Sequence, residues 1–496
     1  MPEPEAHALA AALHDFWELV HGPLAHWARL TPHATALRSE SRSLSFAQLQ
    51  GEVELRREAI IAQQKPAMLL VDASRGTLEC VIEFLAVIAS GRCAAVADPE
   101  WPQPVHERVQ ACLPDAPSRL HAATPLAAFY TGFTSGSTGM PKGFMRHHRS
   151  WAESFRVGIA DFGAVAAQRV LAPGRMSHSL FLFGVMHGLW CGAGALVQEK
   201  FSALRCLQWL AEDAAAVLVA VPSQLLLMLQ WARQRRMAPI PRVELVQISG
   251  ARWMRSQTPA LKALFPNARI VEFYGASEAS YVAWMDADSN ACATAVGRPF
   301  SNVELSIRSV EGEDGENGLI YLRSPMVFMD YVGQHVDRTG VLRDGDWLSV
   351  RDMGHVDEQG LLHLAGRQSR MIVTRGKNLF PEEVETLLQD HPAIARASLQ
   401  GVADGLRGMQ LHAILQWRDP ANASPPTAQQ LAQWLHARTE AFKLPRQWWT
   451  ANESWPQTSS GKTDHRQLAD ALQLALAGEP CEILRPLCAP STASAP

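Results

Sequence analysis

Residues 130–149 read Tyr-Thr-Gly-Phe-Thr-Ser-Gly-Ser-Thr-Gly-Met-Pro-Lys-Gly-Phe-Met-Arg-His-His-Arg, and this stretch constrains the chain more than any other. An apolar run closes at Phe129 and Tyr130. After it Thr134, Ser135, Gly136, Ser137, Thr138 and Gly139 set hydroxyls and unshielded backbone N–H groups ahead of Lys142. Glycines let the main chain curl around an anion without Cβ clashes, hydroxyls add donors, and the lysine brings a full positive charge, so the stretch has the chemistry of a phosphate cradle. It is not a Walker A loop, which ends in Gly-Lys-Ser/Thr; here Pro141 precedes Lys142 and Gly143 follows it. Composition alone would also suit a flexible surface linker.

The order of residues separates those readings. Thr-Ser-Gly-Ser-Thr-Gly-x-Pro-Lys-Gly, residues 134–143, resembles the phosphate loop of the adenylate-forming (ANL) superfamily, which includes acyl- and aryl-CoA synthetases, the adenylation domains of peptide synthetases and firefly luciferase. The resemblance covers roughly residues 10–475. It implies an α/β fold: a large N-terminal adenylation (AMP-binding) domain of parallel βαβ sheets plus a small β-barrel over residues 1–367, then a small, mobile α+β C-terminal lid domain over residues 368–475. Residues 476–496, rich in Pro, Ala and Ser, are expected to be a disordered tail.

Bulk properties agree. At 496 residues the chain exceeds one ordinary domain, and 47% hydrophobic residues suffice for two to four cores. Its 45 basic and 49 acidic residues give a net charge of -4, so no overall field draws nucleic acid or an anionic membrane. The eight cysteines form no CxxC pairs or metal-ligand spacing and read as reduced core residues of a cytoplasmic protein. The first residues lack the basic start and apolar core of a signal peptide. Residues 179–197 and 214–228 are the most apolar windows. His187 and glycines interrupt the first and Pro222, Ser223 and Gln224 the second, so buried elements are expected, with no integral membrane segment. A monomer or homodimer is expected.

Periodicity places the elements. Apolar residues recur at helical spacing over residues 9–27, and Ser45 is placed as the N-cap of a helix. Strand, helix and strand over residues 68–72, 78–90 and 93–98 give a parallel βαβ signal, repeated by strands over 215–221 and 243–248 around a helix over 222–233. Residues 102–130 read as a loop. His147 and His148 share no helix face and have no third ligand nearby, so a surface helix start is expected rather than a metal site. Near the end, Pro381 with Glu382 and Glu383 suits the first turn of a helix, and Thr427 suits the N-cap of a helix over residues 427–442.

The resemblance implies site roles residue by residue. His178 matches the residue at the mouth of the acyl site, with Phe181, Phe183 and Gly275 in the acyl pocket; no acid lies in residues 178–184, so the pocket is apolar and unsuited to an ammonium group. Gly250 and Ala251 flank the acyl group and adenine. In Tyr274-Gly275-Ala276-Ser277-Glu278, similar to the family's Tyr-Gly-x-Thr-Glu, Tyr274 stacks on adenine, Ser277 bonds the α-phosphate, and Glu278 binds Mg²⁺. Asp352 matches the ribose ligand, with Arg351 where relatives usually carry glycine. Arg367 matches an arginine that reaches the nucleotide, and Ser369 marks the hinge, where Asp or Lys is customary. Gly376 borders the thiol tunnel, and Lys462, in Ser-Ser-Gly-Lys-Thr, matches the catalytic lysine.

The activity implied is attack of a carboxylate on the α-phosphorus of ATP, with Mg²⁺, giving an acyl adenylate and pyrophosphate. Transfer to CoA then gives a thioester and AMP. Loading of a carrier protein's phosphopantetheine is an alternative, and a non-catalytic nucleotide-binding relative is a more distant one.

Overall fold

Parallel strands buried on both faces must be apolar almost throughout, and Val217–Ala220 and Leu245–Ile248 are buried at every position. The computed structural model describes residues 17–135, 141–212, 215–288, 290, 292, 294–310, 317–333, 337–374, 377–404, 408–419, 425–451, 455–458 and 461–487. The chain divides into two units, one of residues 1–290, 296–305 and 322–350, the other of residues 291–295, 306–321 and 351–496.

In the first unit Thr35–Arg38, Ala195–Val197, Val170–Ala172, Val217–Ala220, Leu245–Ile248 and Arg269–Ala276 lie side by side, all parallel. Antiparallel Ser43–Ser45 and Ser280–Asp286 flank them. A second sheet runs Met68–Val71, Cys93–Val96, Ala128–Ser135, Pro141–His147 and Asp330–Tyr331, parallel up to Ala128–Ser135 and antiparallel beyond. Helices fill the crossovers: Thr77–Ala89 between the first two strands of this sheet, and Pro222–Gln234 between Val217–Ala220 and Leu245–Ile248. Leu225, Met228 and Leu229 of the latter join Leu218, Val246, Ile270 and Trp253 in one core. As expected, Ser45 caps Phe46–Ala62, in a reciprocal box with Gln48. Among the described residues no helix is long and apolar enough to cross a membrane; Ser179–Trp190 has 12 residues.

Three expectations for this unit change. Residues 102–130 are not loop throughout, since Gln103–Ala111 is a helix. A helix does start at His148 (His148–Phe162), but not on the surface: His148 is buried, its ring stacks on Phe129 at 4.7 Å, and its Nδ1 accepts from the Val20 N–H at 3.3 Å. The segment around Val20 covers it, a long-range contact that local spacing cannot show. Cys80, Cys93 and Cys206 are buried as expected, but Cys112 is exposed.

In the second unit Asp352–Val356 and Leu362–Arg367 form a hairpin, as do Ile372–Thr374 and Lys377–Leu379. A four-stranded sheet follows, in the order Ile394–Asp404, Gly408–Trp417, Gln447–Ala451, Leu484–Pro486. One core sets Val384 and Leu388 of Pro381–Gln389 and Leu431 and Leu435 of Ala428–His436 against Leu399, Leu411 and Leu415; another sets Leu468 and Leu472 of His465–Leu476 against Ile414, Trp449 and Trp455. Thr427 does cap its helix, with Gln430 closing the box, but the helix ends at His436 and Ala441–Lys443 forms a separate short turn. The expectation of disorder fails at residues 484–486, which pair with Gln447–Ala451; Leu484 is buried in the Trp449 and Trp455 core, which outweighs a composition poor in order-promoting residues. Residues 488–496 lie outside the described residues.

Candidate active site

Antiparallel pairing sets Thr134 opposite Lys142, so the cradle joins two adjacent strands instead of leading from a strand into a helix. Gly136, Ser137, Thr138 and Gly139 lie outside the described residues, and of Ser135 only the backbone is described. The Thr134 hydroxyl donates to the Lys142 carbonyl at 3.4 Å. Along Pro141–His147 the period of two sends Lys142, Phe144 and Arg146 to the same side. Asp330–Tyr331 pairs with this strand, Tyr331 opposite Phe144. The Lys142 ammonium therefore lies 3.6 Å from the centre of the Tyr331 ring, a cation–π contact. The Tyr331 hydroxyl donates to Glu278 Oε1 at 2.8 Å. Partial burial draws the Lys142 ammonium below the usual lysine range, against the attraction of Asp337 and Glu278. A cation over the ring face and a carboxylate at the ring's hydroxyl thus meet through Tyr331 at the root of the cradle.

Glu278 reaches this place from the other sheet. Its strand, Arg269–Ala276, shifts register between Tyr274 and Gly275, and Gly275 faces Tyr281. A Cβ on Gly275 would overlap the Ser280 carbonyl oxygen, so only glycine permits this close approach. Beyond the turn, the Phe328 N–H donates to the Glu278 carbonyl at 2.7 Å, and the Ser277 carbonyl accepts from Arg146 at 2.6 Å. Gly250 and Ala251 form an exposed turn after Leu245–Ile248, a strand parallel and adjacent to Arg269–Ala276, so they share a carboxyl edge with half-buried Tyr274. The Ser249 hydroxyl donates to the Phe273 carbonyl at 3.0 Å and ties the two strand ends together.

His178 is the N-cap residue of Ser179–Trp190 but makes no side-chain cap bond. Phe181 is buried, its ring filling the space a Cβ on Gly174 would need. Phe183 is half-buried, with Trp151, Phe155 and Tyr281 at ring distances of 5.3, 4.9 and 5.4 Å. This wall is aromatic and uncharged.

The remaining candidates belong to the second unit. Asp352 is buried and pairs in register with Arg367, whose Nε donates to Asp352 Oδ1 at 3.1 Å. Arg351 takes the left-handed backbone (φ +62°) that favours glycine; its guanidinium donates to Gln368 Oε1 at 2.7 Å and its carbonyl accepts from the Gln368 N–H at 3.0 Å. Ser369 sits in the short turn Gln368–Arg370, and Gly376 lies outside the described residues. Lys462 is exposed on a tight loop in which the Thr458 N–H donates to its carbonyl at 2.8 Å and Trp455 Nε1 donates to the Thr463 hydroxyl at 3.1 Å. Half-buried Arg370 donates to Glu385 at 2.6 Å and to Glu382 at 2.9 Å; His465, three residues past Lys462, bonds Ser398 at 2.9 Å with Glu385 3.8 Å away. Burial lowers His465 to about 4, so it is neutral beside Glu385 at ordinary pH.

Among the described residues no three His, Cys, Asp or Glu side chains gather as a metal cage. Magnesium is commonly held by one or two carboxylates and substrate phosphates, and a single carboxylate, Glu278, near Lys142 fits that donor set. Sequence reasoning missed Tyr331 and Arg146. No local signal marks either, because Lys142-Gly-Phe-Met-Arg146 shows no polar–apolar alternation and Tyr331 meets Glu278 only through long-range strand pairing.

A parallel α/β unit whose glycine- and hydroxyl-rich hairpin lifts a lysine toward a carboxylate, followed by an α+β unit with a lysine on an exposed loop, defines the adenylate-forming class of enzymes. The chain belongs to the AMP-binding enzyme family: residues 56–332 match that family, and residues 383–462 match the AMP-binding enzyme C-terminal domain. It is 38% identical over 347 residues to the uncharacterized acyl-CoA ligase YhfT of Bacillus subtilis, covering 69% of this chain and 68% of the relative. It is 28% identical over 397 residues to the putative long chain fatty acid-CoA ligase VraA of Staphylococcus epidermidis, covering 76% of this chain and 83% of that one. In fold it is similar to the amide bond synthetase McbA of Marinactinospora thermotolerans, with a TM-score of 0.77 and 22% identity over 91% of this chain and 99% of that one.

Proposed function

We propose that the protein activates an apolar carboxylic acid, fatty or aromatic, with ATP and passes the acyl group to the thiol of CoA. The observation that carries this reading is the meeting of Lys142 and Glu278 on Tyr331 at the root of the cradle. The names of the acyl-CoA ligase relatives support CoA as the acceptor.

In the first step a carboxylate oxygen attacks the α-phosphorus, the bond to the bridging oxygen breaks, and pyrophosphate leaves. Both reactants are anions, so positive potential must be in place as the transition state forms. Lys142 supplies it to the triphosphate, and Lys462, on the resemblance of its loop, supplies it to the carboxylate. Glu278 would hold a magnesium ion, which neutralises phosphate charge and steadies the leaving group when bound. Tyr274 offers a face for adenine, Gly250 and Ala251 the neighbouring edge, Ser277 a hydroxyl to the α-phosphate, and Asp352 an acceptor for ribose hydroxyls. In the second step the thiol sulfur attacks the acyl carbon, its proton passes to solvent and AMP leaves. We assign Gly376 to the thiol passage, Ser369 to the hinge, Arg367 to the nucleotide and His178 to the mouth of the acyl site. The uncharged wall around Phe183 favours an apolar acid, since an ammonium group there would lack a counter-charge.

The test is pyrophosphate release over a panel of fatty, aryl and amino acids, with free CoA or a carrier protein as acceptor. Acid-dependent release with fatty or aryl acids, and thioester formed on free CoA, is expected. Lys142→Ala and Lys462→Ala should each lower the adenylation rate by ~10² to 10³. Release with amino acids alone, or transfer only to the carrier protein, overturns the corresponding part.

A further inference from the structure

Two arginines of the first unit, Arg92 and Arg146, are fully buried. Burying a guanidinium costs several kcal/mol unless its donors find acceptors, and both find them on backbone carbonyls. Arg92 donates to the carbonyls of Lys65, Ser90, Ser118 and Leu120, which bind a helix end to a loop and carry no candidate site residue. Arg146 is different in what it joins. One terminal nitrogen donates to the Ser277 carbonyl at 2.6 Å, the other donates to the Met326 carbonyl, and its Nε lies 3.4 Å from the Ser150 hydroxyl. Ser277 directly precedes Glu278. Met326 opens the segment whose Phe328 N–H holds the Glu278 carbonyl and whose Tyr331 holds the Glu278 carboxylate. Arg146 itself is on the strand of Lys142, four residues on.

We infer that Arg146 is a positioning residue for the ATP half-reaction, fixing the Ser277–Glu278 turn and the 326–331 segment to the Lys142 strand so that Glu278 presents its carboxylate to the metal-bound triphosphate. The inference rests on the adenylation reading above. An apolar side chain could fill the volume but would leave the Ser277 and Met326 carbonyls without these donors. A planar fork with donors on both ends is what bridges two carbonyls on separate segments, and a lysine ammonium reaches them less well. Arg146 also places a positive charge near Glu278, which attracts it in return; burial still draws the guanidinium down to about 10.

The experiment compares Arg146→Met and Arg146→Lys with Arg92→Met, a matched removal of a buried carbonyl-binding arginine outside the site. ATP binding is followed calorimetrically at a series of magnesium concentrations, and pyrophosphate release is measured in parallel. Arg146→Met should raise the magnesium concentration for half-maximal ATP binding by about 10- to 100-fold, the range seen when groups behind a metal ligand are removed. The KM for the acid should stay nearly constant. Arg146→Lys should recover part of the loss, and added guanidinium ion should partly restore Arg146→Met. Arg92→Met should lower the melting temperature and leave the magnesium dependence unchanged. The proposal fails if Arg146→Met or, should that variant not fold, Arg146→Lys keeps wild-type magnesium dependence, or if Arg92→Met shifts it equally. Absence of pyrophosphate release by the wild-type protein with every acid would instead reject the adenylation reading, while the binding comparison still reports on Arg146.

Discussion

A left-handed backbone costs any residue with a Cβ, and Arg351 holds one beside Asp352, braced on both its carbonyl and its guanidinium by Gln368. The turn is thus kept by a residue that carries a Cβ. Arg351→Gly should leave stability within about 1 kcal/mol, relief of the left-handed strain offsetting the lost contacts, whereas β-branched Arg351→Val should cost about 2 kcal/mol, both read by urea denaturation. At the cradle, Tyr331→Phe keeps the ring under Lys142 but removes the hydroxyl from Glu278. It should lower kcat/KM for ATP by about tenfold, and Tyr331→Leu should lower it further, as measured by pyrophosphate release. Lys142 stood out as a candidate because it ends a glycine- and hydroxyl-rich loop, and Glu278 stood out only through the resemblance of its segment to the family's Tyr-Gly-x-Thr-Glu. Tyr331 was not legible, because 53 residues separate it from Glu278 and only strand pairing brings them together.

Elements were legible where their signals are local. Ser45 and Thr427 cap their helices through bonds made three residues away. The start of His148–Phe162 was legible too, but its burial was not, because the cover comes from residues near Val20. That cover has a pH signature. Burial, aided by Arg57, lowers His21 from the ordinary 6.5 to about 4, and its ring lies 5.3 Å from that of His148, which burial also lowers. The folded chain keeps His21 neutral while the unfolded chain takes up a proton near 6.5, so its contribution is full above that value and is lost as pH falls toward about 4. The loss should approach 3 kcal/mol, to order of magnitude. Urea denaturation from about pH 7.5 down to about pH 4 should show it, with roughly 2 kcal/mol lost by about pH 5, and His21→Gln should flatten the dependence.

The molecule as a whole has two units with separate cores, and the order of motifs along the chain already announced a large unit followed by a small one. What motif order cannot give is where each core closes, because that depends on side chains meeting from distant segments. Leu431 is fully buried in the second unit. Leu431→Ala should destabilise that unit by about 2–5 kcal/mol, and scanning calorimetry should show its transition moving down while that of the first unit stays in place.

Leu484–Pro486 is the outermost strand of the second unit's sheet and closes over Trp449. A protease that trims the chain just ahead of it would uncover a tryptophan and a row of unpaired amides along Gln447–Ala451, the kind of open border on which identical chains zip together. Residues 484–486 therefore act as a seal against self-association, and their loss should register first as precipitation rather than as a slower reaction.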